Sequence, residues 1–188
     1  MEINTTQILQ KSKESLILLA EQINAVKIEA FQEFVITSNQ FRTLALFDET
    51  ITNISKTEFP IIYTIELENN EDRKQLIKTF ETFSKTNKTN TKNVDRINHS
   101  KYNNGNSKTL YVGSSTNDFK TRLKDHLGVK KSCRTYALHL SKWDKNLVYS
   151  IRVRTYKISK TNRNIVELIE QQIWDQLKPI FGKRSGLL

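Results

Sequence analysis

The sequence predicts an α/β fold, a small mixed or antiparallel sheet flanked by helices, with a helical extension at the N-terminus. Three observations predict it. Runs rich in β-branched and aromatic residues occur at 61–67 and 110–112, and a third run alternates in polarity over 147–158. Segments with apolar residues at helical spacing separate or follow them at 71–84, 119–127 and 165–177. Ahead of them, a stretch without Gly or Pro places apolar residues every three or four positions from Thr5 to Val35.

In that first stretch Leu16, Leu19, Ala20, Ile23, Ala30, Phe31 and Phe34 follow helical spacing, which predicts one long helix or two consecutive ones. Such an arm packs either within the chain or across a subunit interface, as a homodimer would require. Residues 37–58, with the short apolar run Leu44 to Phe47, read as a connection. Pro60 then introduces a strand in which Ile61, Tyr63, Ile65 and Leu67 share one face. A helix over 71–84 carries Leu76, Ile77, Phe80 and Phe83 on one side, and residues 85–108, rich in Lys, Asn, Thr and Ser, read as a basic loop. Leu110, Tyr111 and Val112 form the next strand. Gly113 permits a sharp exit, and Ser114, Ser115, Thr116 and Asn117 are candidate caps for a helix starting near Asp118. A short helix is expected over Thr135 to Leu140. Residues 147–158 make a strand with Val148, Ser150, Arg152, Arg154 and Tyr156 on one face, and a last helix runs from 162–164 towards Pro179.

The charge is divided unevenly. Residues 1–58 hold 5 Lys or Arg against 8 Asp or Glu, whereas residues 59–188 hold 25 against 12, so the net charge of +10 belongs to the C-terminal part. We therefore expect an acidic helical arm over 1–58 and a basic domain over 59–188, interrupted by an insertion near 69–108. A surface this basic attracts polyanions and gains affinity by releasing counterions, which points to nucleic acid, in the first instance double-stranded DNA. The single cysteine, Cys133, excludes an internal disulfide and a cysteine-cluster zinc site. The longest apolar run near the N-terminus, Leu16 to Ala20, is far too short to span a bilayer, so no membrane association and a cytoplasmic location are expected. No Gly-x-Ser-x-Gly elbow supports a serine hydrolase.

Two segments carry chemistry. In LYVGSSTNDFKTRLKDHL, Phe119, Leu123 and Leu127 recur at i, i+4 and i+8 as a buried stripe. Arg122 and His126, four apart, sit together at its edge, suited to gripping a phosphate. In the last helix, wheel arithmetic at about 100° per residue puts Glu170 inside the apolar arc of Ile165, Ile169, Ile173 and Leu177. A carboxylate pointed into a core needs a partner, either a basic side chain such as Arg122 or a metal ion.

These elements, in this order, resemble the GIY-YIG nuclease family. Ile61-Ile62-Tyr63 matches its first motif, Tyr111-Val112-Gly113 its second, and Arg122 its helical arginine. His126 stands where the family has His or Tyr, and Glu170, followed by Lys178-Pro179-Ile180-Phe181, stands where it has its catalytic glutamate. The resemblance spans about residues 59–182. Three positions differ: Ile61 replaces the first Gly, Gly182 replaces a common Asn, and the spacer from Tyr63 to Tyr111 is long. The hydrogen bonds of that Asn are then expected from Lys183, Arg184 or Ser185.

The resemblance implies a metal-dependent endonuclease that hydrolyses phosphodiester bonds in DNA, with restriction or another defence role as the biological setting. It implies Tyr63, Tyr111, Arg122, His126 and Glu170 as catalytic residues. Glu170 would hold Mg²⁺, with Mn²⁺ able to substitute, and Arg122 would clamp the phosphate. Tyr63 would position or deprotonate the attacking water, assisted by Tyr111 and His126. A free phenol is only ~0.1% ionised at pH 7, so a tyrosine base needs cationic surroundings, which the basic domain is expected to supply. Lys108, Lys120, Lys124, Arg152, Arg154, Lys183 and Arg184 are the expected nucleic-acid contacts. The alternative is a catalytically inactive nucleic-acid-binding protein that keeps the nuclease fold.

Overall fold

The computed structural model describes residues 3–43, 57–92, 94–116, 118–130, 134–184 and 186. Leu44 to Phe47, Asn117, Cys133 and Ser185 lie outside them. Among these residues five helices and four strands follow in the order α1 (Thr5–Asn24), β1 (Ile28–Thr37), α2 (Ser38–Arg42), β2 (Ile61–Leu67), α3 (Asp72–Thr89), β3 (Thr109–Ser115), α4 (Phe119–Leu127), β4 (Ser150–Ile158) and α5 (Arg163–Leu177), with a 3₁₀ turn at Leu140–Lys142. The strands form one sheet in the order β1-β4-β2-β3, antiparallel at every pairing.

β2 is buried along its whole length and separates two apolar layers. Ile61, Tyr63, Ile65 and Leu67 join Phe119, Leu123, Leu127, Leu76, Phe80, Ile151 and Val153 in the larger one. Ile62 turns to the other face with Ile158 and Val166, against which Ile169 and Ile173 of α5 pack. The sheet is thus covered by α3 and α4 on one side and α5 on the other.

The first 37 residues correct the expectation of continuous helix. α1 stops at Asn24, and Ile28–Thr37 is an edge strand paired with β4 from Ile28↔Ile158 to Thr37↔Ser150. A bulge between Ala30 and Gln32 breaks the alternation there, which leaves Ala30, Phe31 and Phe34 at a spacing that imitates a helix. The region before β3 is also more ordered than a loop. α3 extends to Thr89, and 98–103 docks by bridges from His99 to Ala137 and from Tyr102 to Phe181. The expected short helix over Thr135 to Leu140 is reduced to the turn at Leu140–Lys142, and the strand expected from Leu147 begins at Ser150.

The long spacer between the motif strands does not prevent their pairing. β2 and β3 lie side by side with Tyr63 opposite Gly113, and Leu67 N–H donates to the Lys108 carbonyl (2.9 Å), closing the root of the insertion. α4 is capped by Asp118, whose carboxylate accepts from Thr121 N–H (2.9 Å), and ends on Gly128 in the left-handed region (φ 78°). α5 is capped by Asn162 and ends at Lys178, immediately before Pro179.

Candidate active site

Gly113 governs the local geometry. It lies in the middle of β3 rather than at an exit, and its backbone has no positive φ. A Cβ there would stand 2.6 Å from the Tyr111 ring and 2.7 Å from the Tyr63 hydroxyl oxygen. Only glycine lets the rings of Tyr63 and Tyr111, on neighbouring strands, stack with centroids 6.1 Å apart. Gly182 does the same from the other side. Its φ of 113° and a Cβ position 3.2 Å from Tyr111 exclude a larger residue, which gives a steric reason for the absence of Asn at this position.

The hydrogen bonds at that turn come from an unexpected quarter. Asn103, at the end of the insertion, donates through Nδ2 to the carbonyls of Pro179 (3.1 Å) and Gly182 (3.0 Å). Lys101 accepts from Gly182 N–H (2.8 Å). Lys183 is exposed and Arg184 pairs with Asp175 (2.7 Å), so the expectation that these residues would serve the turn is corrected. Sequence reasoning missed Asn103 because it lies 76 residues from the nearer of the two groups that it binds.

Behind the two tyrosines sits His126, fully buried on α4. Its Nε2 is 2.9 Å from the Tyr63 hydroxyl, and its Nδ1 accepts from the buried Leu138 N–H (3.3 Å). Burial, and secondarily the nearby Arg122 and His139, pushes the imidazole well below its ordinary range, so the ring is neutral. A neutral ring that accepts at Nδ1 carries its proton on Nε2. His126 therefore donates to Tyr63 and does not take the tyrosine's proton.

Tyr63 itself is 0% exposed. Burial, then the neighbouring Tyr111, raises its phenol well above the usual value, against the opposing pull of Arg122. The expectation that basic surroundings would ease its ionisation is thus corrected, since desolvation of the phenolate outweighs the guanidinium. Arg122 lies within hydrogen-bonding reach of the Tyr63 hydroxyl and donates from Nη2 to the Tyr111 hydroxyl at 3.4 Å.

Tyr111, Ser114, Arg122 and Glu170 form the half-buried front of the cluster. The Glu170 carboxylate reaches from α5 to a hydrogen bond with Ser114 of β3. Burial raises its affinity for a proton, and the adjacent Glu167 adds to this; the Ser114 bond and the weaker pull of Arg122 oppose it. Among the described residues no Lys, Arg or His lies within ion-pair distance of Glu170. A salt bridge to Arg122, the structural reading of this residue, is absent. No group of three or more His, Cys, Asp or Glu side chains gathers among the described residues, and at this position Glu170 and the Ser114 hydroxyl could supply oxygen donors. One carboxylate suits a hard divalent ion that keeps most of its waters.

The expected nucleic-acid contacts divide. Arg152 and Arg154 project from the face of β4 opposite to Tyr63, and there Glu33, Glu66 and Glu68 engage them. Lys108 also approaches Glu66 (3.5 Å), and Arg184 is taken by Asp175. Lys120 and Lys124 are half-buried on α4 beside Arg122, and Lys183 is exposed.

Residues 97–184 match the family model described as the GIY-YIG catalytic domain. No curated protein and no solved structure matches the chain significantly. The match contains Tyr111, Arg122, His126 and Glu170, while Tyr63 lies outside it and enters the site through the pairing of β2 with β3. Tyr63 and the matched residues thus meet in one cluster on an antiparallel sheet flanked by helices, and the segment 97–184 belongs to the GIY-YIG nuclease superfamily.

Proposed function

We propose that this chain is a metal-dependent endonuclease that hydrolyses phosphodiester bonds in double-stranded DNA. The observation that carries the proposal is Glu170, a half-buried carboxylate without a basic partner among the described residues, set beside Arg122 and Tyr111 at the open edge of the cluster. Glu170 would hold Mg²⁺ or Mn²⁺, and that ion would supply charge stabilisation for the leaving oxygen.

The remaining work falls to the side chains. Arg122 clamps a phosphate oxygen pair with a permanently charged planar fork. Tyr111, held by Arg122 and half-exposed, orients the attacking water. Tyr63 and His126 lie behind and act as positioning residues. The Nε2 proton of His126 fills one lone pair of the Tyr63 oxygen and leaves the tyrosine's own hydrogen for an acceptor in the site. We assign the activity to restriction or a related defence role. α1, none of whose residues is fully buried and which leaves Ile8, Leu9, Leu16, Ile17 and Leu18 exposed, is the element assigned to pairing two copies for double-strand cleavage. The inactive-protein alternative drew its support from Gly182; against it, Asn103 supplies side-chain hydrogen bonds to that turn, and Gly182 packs on Tyr111.

The test is incubation of the purified chain with supercoiled plasmid, linear duplex and RNA in Mg²⁺ or Mn²⁺, with an EDTA control. Nicking or linearisation of DNA that EDTA abolishes is expected. Metal-independent cutting, or retained binding without cutting across a panel of target sequences, contradicts the proposal.

A further inference from the structure

In the catalytic region Glu33, Glu66, Glu68 and Asp175 engage Lys108, Arg152, Arg154 and Arg184. The lysines along α3 are placed differently. Lys74, Lys78, Lys85 and Lys88 of α3 are all exposed, and among the described residues none has a carboxylate within ion-pair distance. At about 100° per residue they fall within roughly 80° of arc and span about 21 Å of helix. Glu81 lies inside the same arc and is the acid in its middle. Alongside Lys74 and Lys78 runs a groove of about 590 Å³, lined also by Gln75, Thr79, Thr82 and the Glu71 carboxylate, and Lys145, from the turn before β4, adds a fifth ammonium group. The Thr79 and Thr82 hydroxyls donate to the carbonyls of Gln75 and Lys78.

The opposite face of α3 fixes this stripe to the site. Leu76 and Phe80 are buried in the core that contains Tyr63, and the Phe80 ring meets Phe181 with centroids 4.7 Å apart. Phe181 precedes Gly182, which lies against Tyr111. Phe80 and Phe83 of α3 face inward. His99 and Tyr102 line the groove beside Lys85 and Lys88, whereas the groove along Lys74 and Lys78 contains no ring on which to stack an unpaired base. A row of ammonium groups that is free of stacking partners along this half fits the phosphate backbone of a duplex. The whole of α3 precedes the residues matched to the catalytic domain.

We propose that the Lys74, Lys78, Lys85 and Lys88 face of α3 binds the phosphate backbone of duplex DNA flanking the cleaved bond. The assignment rests on the nuclease reading for its substrate, and its test separates the two. Binding of a fluorescently labelled duplex is measured by anisotropy in EDTA over a range of salt, for the wild type, for the variant carrying Lys74→Gln, Lys78→Gln, Lys85→Gln and Lys88→Gln, and for Glu81→Gln.

Each phosphate contact contributes a slope of about 0.9 in log affinity against log salt, so the fourfold variant should lose up to about 3.6 from the slope and at least tenfold in affinity near 0.1 M salt. Glu81→Gln, which removes the opposing charge, should bind more tightly. In cleavage assays the fourfold variant should raise KM and keep kcat at saturating DNA. Unchanged slope and affinity in both variants overturn the proposal, as does a wild type with no salt-dependent affinity for duplex or with the same lysine dependence only on single-stranded RNA. Wild-type binding with the expected slope but no cleavage contradicts the nuclease reading and leaves the α3 surface standing.

Discussion

Burial moves the titration of two groups in opposite senses, and each shift carries a stability signature. The His126 imidazole, enclosed by Tyr63, Arg122 and Leu138, titrates well below 6.5 in the folded chain, so below that pH the unfolded state binds more protons than the folded one. Stability should therefore fall as pH drops from about 6.5 towards the lowered folded value, and His126→Gln should remove part of that dependence in thermal melts. Long-range proton–nitrogen spectra should show a protonated Nε2 and an unprotonated Nδ1; the reverse pattern contradicts the donor role towards Tyr63. Glu170 shows the opposite behaviour. Its proton affinity is raised by burial, so its contribution to stability is lost as pH rises through the raised value. In metal-free buffer near neutral pH, Glu170→Gln should melt a few degrees higher than the wild type, whereas added Mg²⁺ or Mn²⁺ should stabilise the wild type alone.

At the scale of elements, the pairing of β2 with β3 depends on Gly113. Gly113→Ala would drive a methyl into both tyrosines, at an expected cost of about 1–3 kcal/mol and with loss of cleavage, measured by denaturant unfolding and plasmid nicking. Asn103→Ala should loosen the Pro179–Gly182 turn by roughly 1 kcal/mol and reduce activity more than stability, because Gly182 seats Tyr111. β2, α4 and α5 were legible in the sequence because their signals are local: alternation about Tyr63, the i, i+4 stripe of Phe119 and Leu123, and an apolar arc that isolates Glu170. β1 was not, because its bulge at Ala30–Gln32 shifts the alternation and because an edge strand pays little for exposed Ile28, Phe31 and Val35. Arg152 and Arg154 read as a DNA-facing row for a related reason. The carboxylates that claim them lie 84 to 121 residues away in sequence and meet them only through the sheet.

At the scale of the whole molecule, the proposed function divides the positive charge between a site for the cleaved phosphate and a helix for the phosphates that flank it. Charge removal at Arg152 or Arg154 should leave the salt dependence of DNA binding nearly unchanged and lower the melting temperature, since Arg152 bridges Glu33 and Glu68 and Arg154 bridges Glu33 and the buried Glu66. This contrasts with the lysines of α3, whose loss should weaken binding without destabilising the fold. The central claim is that Glu170 and Arg122 form the hydrolytic centre, and it meets its most direct test in single-turnover cleavage by Glu170→Gln beside the wild type, with duplex binding measured on the same preparations. The account predicts a loss on the order of a thousandfold in cleavage with affinity retained. Cleavage within a few-fold of the wild type would contradict it.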